Sequence, residues 1–161
     1  MAAAAGLRVG IAVAQFNVGV TERLLEGALG VCRQAGIDPS AIEILRVPGA
    51  FELPLAAQEL ARRGCEAVIC LGAVIRGETP HFDYVCQQAA AGIMRVALDH
   101  HLPVGFGVLT CDTAEQAYAR AGGAAGNKGA EAAQTALAMA ALLGRGKGRT
   151  ADDAVTGPSG G

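Results

Sequence analysis

Three of the chain's four phenylalanines, Phe16, Phe51 and Phe106, fall near the ends of apolar runs, with polar residues close by. Aromatic side chains that converge on one edge can stack on a flat ligand. Asn17 follows Phe16, and Glu52 follows Phe51. A carboxylate at the start of a helix complements the helix dipole, and it can also accept hydrogen bonds from a ligand's N–H groups. A third stretch, Ile75-Arg76-Gly77-Glu78-Thr79-Pro80-His81, carries the most chemistry. Thr79 suits a helix cap, and Pro80 suits the first helical position. His81 then lies in the first turn, where free N–H groups favour phosphate. A neutral imidazole there can pass protons.

These residues need elements that deliver them to one place. Four apolar runs read as buried strands: Leu7–Ala14, Ile42–Val47, Ala67–Val74 and Pro103–Leu109. Their continuous apolar character is that of parallel strands covered on both faces. Helical spacing follows over Thr21–Ala35, Pro54–Arg63, Pro80–Leu98, Thr113–Ala121 and Lys128–Leu143. The last two are divided by Gly122-Gly123-Ala124-Ala125-Gly126-Asn127. Strands alternating with helices predict right-handed βαβ units and a four-stranded parallel sheet in an α/β fold. Ligands bind such sheets beyond the carboxyl ends of the strands. The residues singled out above lie there.

Composition narrows the function classes. With 161 residues, the chain is long enough for one domain with its own core. Hydrophobic residues reach 52% and charged residues 17%, which excludes a disordered chain. No run is long and apolar enough for a membrane span. The start lacks the pattern of a secretory signal, and the net charge of −2 argues against a nucleic-acid grip. Cys32, Cys65, Cys70, Cys86 and Cys111 form no C-x-x-C pair, so free thiols in a reducing cytoplasm are expected. Adjacent His100 and His101 point apart, and no metal site is expected. Residues 1–144 are expected to form the single domain. Residues 145–161 read as a flexible tail.

Three motifs carry a resemblance. VPGAFELP at 47–54, GAVIRGETPHFDYV at 72–85 and RAGGAAGNKGAEAA at 120–133 resemble the lumazine synthase family of riboflavin biosynthesis. The likeness runs from about Leu7 to Leu143, in order and without a large gap. It implies a flavodoxin-like three-layer αβα sandwich. It also implies condensation of 5-amino-6-(D-ribitylamino)uracil with 3,4-dihydroxy-2-butanone 4-phosphate, without a metal or organic cofactor. By this likeness Phe16, with Asn17 beside it, takes the pyrimidine ring. Ala50, Phe51 and Glu52 hold the ring and the ribityl chain, as do Ala73, Val74 and Ile75. Glu78 and Thr79 begin a phosphate-binding loop. His81 is the acid/base histidine, Phe106 lines the ring pocket and Arg120 binds phosphate. Lys128 lies near the pyrimidine.

The resemblance also implies assembly. In this family the site forms between neighbours in a homopentamer, with Phe106, Arg120 and Lys128 supplied by the second chain. The uninterrupted AGGAAGNKG link is that of relatives that build sixty-subunit icosahedral shells, inside which riboflavin synthase can reside. Ala124 stands where many relatives carry Lys, so that charge is missing here. Two other readings share the fold: an archaeal-type riboflavin synthase, and a non-catalytic self-assembling scaffold.

Overall fold

In the computed structural model, which describes residues 4–146, the four apolar runs become one sheet. Its strands are β1 (Val9–Ala14), β2 (Ile42–Val47), β3 (Ala67–Ile75) and β4 (Val104–Cys111). They are all parallel, in the order β2-β1-β3-β4. Helices α1 (Val18–Gln34) and α5 (Lys128–Leu142) share one core with the sheet, through residues such as Leu24, Ala28, Ala133 and Leu137. Helices α2 (Leu53–Arg62) and α3 (His81–Asp99) share a second core, through Leu53, Leu60, Ala89 and Ile93. Two helical layers around a central parallel sheet form an α/β, flavodoxin-like sandwich.

Burial explains which strands are central. Every residue of β1 is buried, as are the first seven of β3. Fully covered side chains such as Ile11, Ile69 and Leu71 each contribute about 2 kcal/mol by leaving water. β2 differs from expectation. It is an edge strand, and its residues are half-buried or exposed. Glu43 and Arg46 interrupt its apolar run, and both form ion pairs, with Arg63 and Glu22.

Small residues let α5 approach closely. A Cβ on Gly129 would stand 2.0 Å from the Leu24 carbonyl oxygen, and one on Gly105 would stand 2.1 Å from that of Ala132. Either substitution forces the helix away from its neighbour. The Gly-rich divider is also structured. Ala121–Gly123 (β5) pairs antiparallel with Gly126–Asn127 (β6), with an irregular register. This pairing shortens the preceding helix, α4, to Ala114–Ala119. Of the expected tail, only Arg145 and Gly146 lie within the described residues. Arg145 Nη2 donates to the His101 carbonyl at 2.6 Å. Among the described residues no helix is long and apolar enough to cross a membrane.

Candidate active site

The carboxyl ends of β1, β2 and β3 open onto a cavity of about 790 Å³. Backbone bonds carry the sheet's order past the strands. Gln15 N–H donates to the Val47 carbonyl at 2.7 Å, and Phe16 N–H donates to that of Pro48 at 2.9 Å. Phe16 is therefore held beside the β2 end while the residue stays 72% exposed. Phe51 lies in a short 3-10 helix, Ala50–Glu52, and is 58% exposed. Two large aromatic faces left in solvent at the mouth of one cavity are unusual for a packed core and suit a flat ligand. Glu52 is half-buried, and its Oε1 accepts from Gly49 N–H at 2.9 Å. That bond fixes the turn and leaves its second oxygen for other donors.

The far wall is β3 and the start of α3. Ala73, Val74 and Ile75 line it, followed by Gly77, Thr79 and His81. His81 is the first residue of α3 and is exposed. Pro80 precedes the helix instead of occupying its first position. The Thr79 hydroxyl accepts from His81 N–H at 3.4 Å, a long bond. An exposed imidazole at the rim can reach a reacting group and exchange protons with solvent.

Five residues named from the sequence lie elsewhere, Arg120 and Lys128 in a pocket of their own. Asn17 does not line the cavity. It adopts a left-handed backbone (φ 62°) before α1, and its Nδ2 donates to the Ala73 carbonyl at 2.8 Å. It thus braces the wall. Glu78 is exposed and outside the lining. The sequence puts Phe106 on the same edge as Phe16 and Phe51, and the structure corrects this. β4 continues to Cys111, so Phe106 falls in mid-strand opposite Cys70, 38% exposed and outside the cavity.

Sequence reasoning misses some of the lining. Phe82, Tyr84 and Val85 all face the cavity. Tyr84 and Val85 lie three and four residues after His81, the spacing of one helical face, and that signal is present in the sequence. Pro48 and Gly49 complete the lip.

A second pocket, of about 330 Å³, lies at the end of β4. Thr110, Cys111, Arg120, Lys128 and Glu131 line it, and among the described residues none lines both pockets. Its geometry comes from α4 and the β5–β6 ribbon. Thr113 caps α4, its Oγ1 accepting from Gln116 N–H at 3.2 Å. Arg120 ends that helix and its Nη1 donates to the Gln116 carbonyl at 3.0 Å. Lys128 N–H donates to the Arg120 carbonyl at 2.8 Å, which brings the two cations together at the base of the ribbon. Asn127 caps α5 through Ala130 N–H at 3.0 Å and also donates to the Arg23 carbonyl. The pocket therefore offers two cations beside the Glu131 carboxylate, and the pair of cations suits an anion. Burial raises the Cys111 thiol above its ordinary range, and nearby Arg120 only partly offsets this. The thiol is neutral at pH 7, so the pocket holds no ready thiolate nucleophile. Among the described residues no group of three or more His, Cys, Asp or Glu side chains could hold a metal ion.

Comparison with known proteins bears on this pair of pockets. The sequence model of the family described as 6,7-dimethyl-8-ribityllumazine synthase matches residues 6–144. A protein of that name from Thermus thermophilus is 56% identical over 141 residues, covering 87% of this chain and 90% of the relative. Another, from Syntrophus aciditrophicus, is 55% identical and covers 87% and 92%. A third, from Salinibacter ruber, is 54% identical over 139 residues and covers 86% and 89%.

Proposed function

The chain belongs to the 6,7-dimethyl-8-ribityllumazine synthase family, and we propose that its two pockets divide the reaction between a ring site and a phosphate site. The protein is a transferase of riboflavin biosynthesis. It condenses 5-amino-6-(D-ribitylamino)uracil with 3,4-dihydroxy-2-butanone 4-phosphate, giving 6,7-dimethyl-8-ribityllumazine, phosphate and water. The observation that carries the division is the cavity that joins Phe16, Phe51 and His81, set apart from the pocket that joins Arg120 and Lys128.

The uracil amine is already a nucleophile, so the protein has none to create. It must position two substrates and move protons. Phe16 and Phe51 stack on the pyrimidine, and Glu52 with the backbone of Ala73, Val74 and Ile75 holds the ring edge and the ribityl chain. His81 carries protons during imine formation and ring closure. Gly77 and Thr79 lie against the phosphate, and Arg120 grips it with two parallel donors as it departs. Lys128 supplies a further charge. Asn17 acts at one remove, by holding the Ala73 peptide.

The site is completed by a neighbouring copy. Phe106, Arg120 and Lys128 of one chain face the cavity of the next, in a homopentamer built from head-to-tail contacts. Five-fold rings close further into a sixty-subunit icosahedral shell in the cytoplasm, able to enclose riboflavin synthase. Two measurements test these readings. Both substrates mixed with the protein must give lumazine absorbance and fluorescence, and lumazine alone must give no riboflavin. Light scattering separates about 81 kDa for five copies of the 16.2 kDa chain from about 972 kDa for sixty. An active species of one chain's mass rejects the shared site.

A further inference from the structure

One cation outside both pockets touches the framework of each. The Arg76 backbone N–H donates to the Cys111 carbonyl at 2.8 Å, which extends the β3–β4 ladder by one step. Its guanidinium carbon lies 4.4 Å from the centre of the Phe82 ring. Nε donates to Asp112 Oδ1 at 2.8 Å, and Nη1 lies 3.7 Å from Asp83 Oδ1. Phe82 and Asp83 are the two residues directly after His81. Phe82 is buried, at 8% exposure, and forms part of the cavity wall.

Beyond the backbone bonds from Asp83 and Tyr84 N–H to the Pro80 carbonyl, the start of α3 is weakly capped. Pro80 makes no side-chain cap bond, and the Thr79 bond to His81 N–H is long. We infer that Arg76 is a positioning residue for His81, holding the first turn of α3 against the end of β4. The bonds continue beyond it. Asp112 N–H donates to Gln116 Oε1 at 2.8 Å, and the Gln116 carbonyl accepts from Arg120. Phe82, Arg76, Asp112, Gln116 and Arg120 thus form one connected path between the two pockets.

Arginine suits the place because its planar fork stacks on a ring and donates sideways at once, which an ammonium cannot do. The ion pairs are exposed, so their contribution to stability is small. Their effect is on geometry, and small misplacements of a catalytic group cost rate. This inference rests on the reading that His81 carries protons.

The test compares Arg76→Met, Arg76→Lys and Asp112→Asn, and Arg76→Met again on a His81→Ala background. Arg76→Met is expected to lower kcat by about tenfold or more. KM for the uracil substrate stays within about twofold, because the stacking residues are untouched. Arg76→Lys and Asp112→Asn fall between parent and Arg76→Met. On the His81→Ala background, Arg76→Met removes less than about twofold more, since its effect passes through the missing histidine. Parental kcat in Arg76→Met beside a slow His81→Ala overturns the role of Arg76 alone. Full additivity of the two losses also overturns it, by placing the effect elsewhere. Parental turnover in His81→Ala rejects the histidine reading, and this inference with it.

Discussion

The cavity over β1, β2 and β3 and the pocket beside β4 share one edge of one sheet, yet they are lined by opposite chemistry. The first encloses about 790 Å³ between exposed aromatic rings and apolar strand ends. The second encloses about 330 Å³ among Arg120, Lys128 and Glu131. Area and stacking govern the first, whereas charge and directed donors govern the second. They also rest on different layers. The cavity draws Ala50, Val74 and Val85 from the core shared by α2 and α3, and the pocket draws Leu109 and Cys111 from the core shared by α1 and α5, although Ala73 and Val108 cross between them. A reaction that joins a flat heterocycle to a phosphate ester needs both kinds of site. Under the proposed shared site, a second copy brings the two kinds together.

The largest effect expected from breaking this contrast is at His81. Its replacement by Ala takes the proposed proton carrier from the cavity rim and should slow kcat by roughly 10- to 1000-fold. Binding of the uracil substrate should hardly change, because the rings remain. Stopped-flow turnover and equilibrium titration with that substrate separate the two quantities. Turnover within a factor of about two of the parent would reject the role.

Arg120→Ala should act on the other side of the contrast. A charge-assisted pair to phosphate is worth about 1.5 to 3 kcal/mol, so KM for the butanone phosphate should rise by roughly 10- to 100-fold. The uracil substrate should bind as before. Equal weakening of both substrates would mean general damage, and the division between the pockets would lose its support.

A mixing experiment sharpens the comparison further. His81→Ala and Arg120→Ala chains should each be slow alone when the butanone phosphate is held below its parental KM. When they are unfolded together and reassembled, a site shared between neighbours draws its histidine and arginine from different chains. Random head-to-tail placement then restores about a quarter of parental activity. A site confined to one chain recovers nothing, since no single chain holds both residues.

The contrast also explains what is legible in the sequence. The strand ends stand out because buried parallel strands leave long apolar runs, and ligand-facing residues follow them directly. Phe16, Phe51, Glu52, Thr79 and His81 follow runs of this kind, and all of them line the cavity. β2 reads as covered on both faces only if Glu43 and Arg46 are overlooked, and these two mark it as an edge. Phe106 reads as a strand-end residue because the apolar run stops at Leu109, two residues short of the strand's end at Cys111. Arg76 gives no signal because its partner Asp112 lies 36 residues away, and no local spacing joins them. The β5–β6 ribbon is made of small residues whose pairing leaves no apolar period, so it reads as a divider. Arg120 and Lys128 carry no signal of their own and are found only through the motif around them.

The smallest expected effect near neutral pH concerns the two layers beneath the pockets. Cys70 belongs to the core under the cavity and Cys32 to the core behind the polar pocket. Burial raises the Cys32 thiol from 9.0 to about 11, and that of Cys70 from 9.0 to about 12. Each thiol therefore stays protonated in the fold after the unfolded chain has begun to lose its proton. The stability this contributes is fully present below about pH 9. It declines as pH rises, until each folded thiol ionises near the values above. Each tenfold difference in proton affinity is worth about 1.36 kcal/mol, so the combined alkaline loss is on the order of a few kcal/mol. The chain has no Trp, so urea unfolding followed by circular dichroism from about pH 8 to about pH 12 is the suitable measurement. Cys70→Ala and Cys32→Ala should each flatten the decline. The Cys70 change should act over the wider pH range, because burial holds that thiol further from its ordinary value. An identical slope in both variants and the parent would assign the alkaline loss to other groups and leave the two layers energetically indistinguishable.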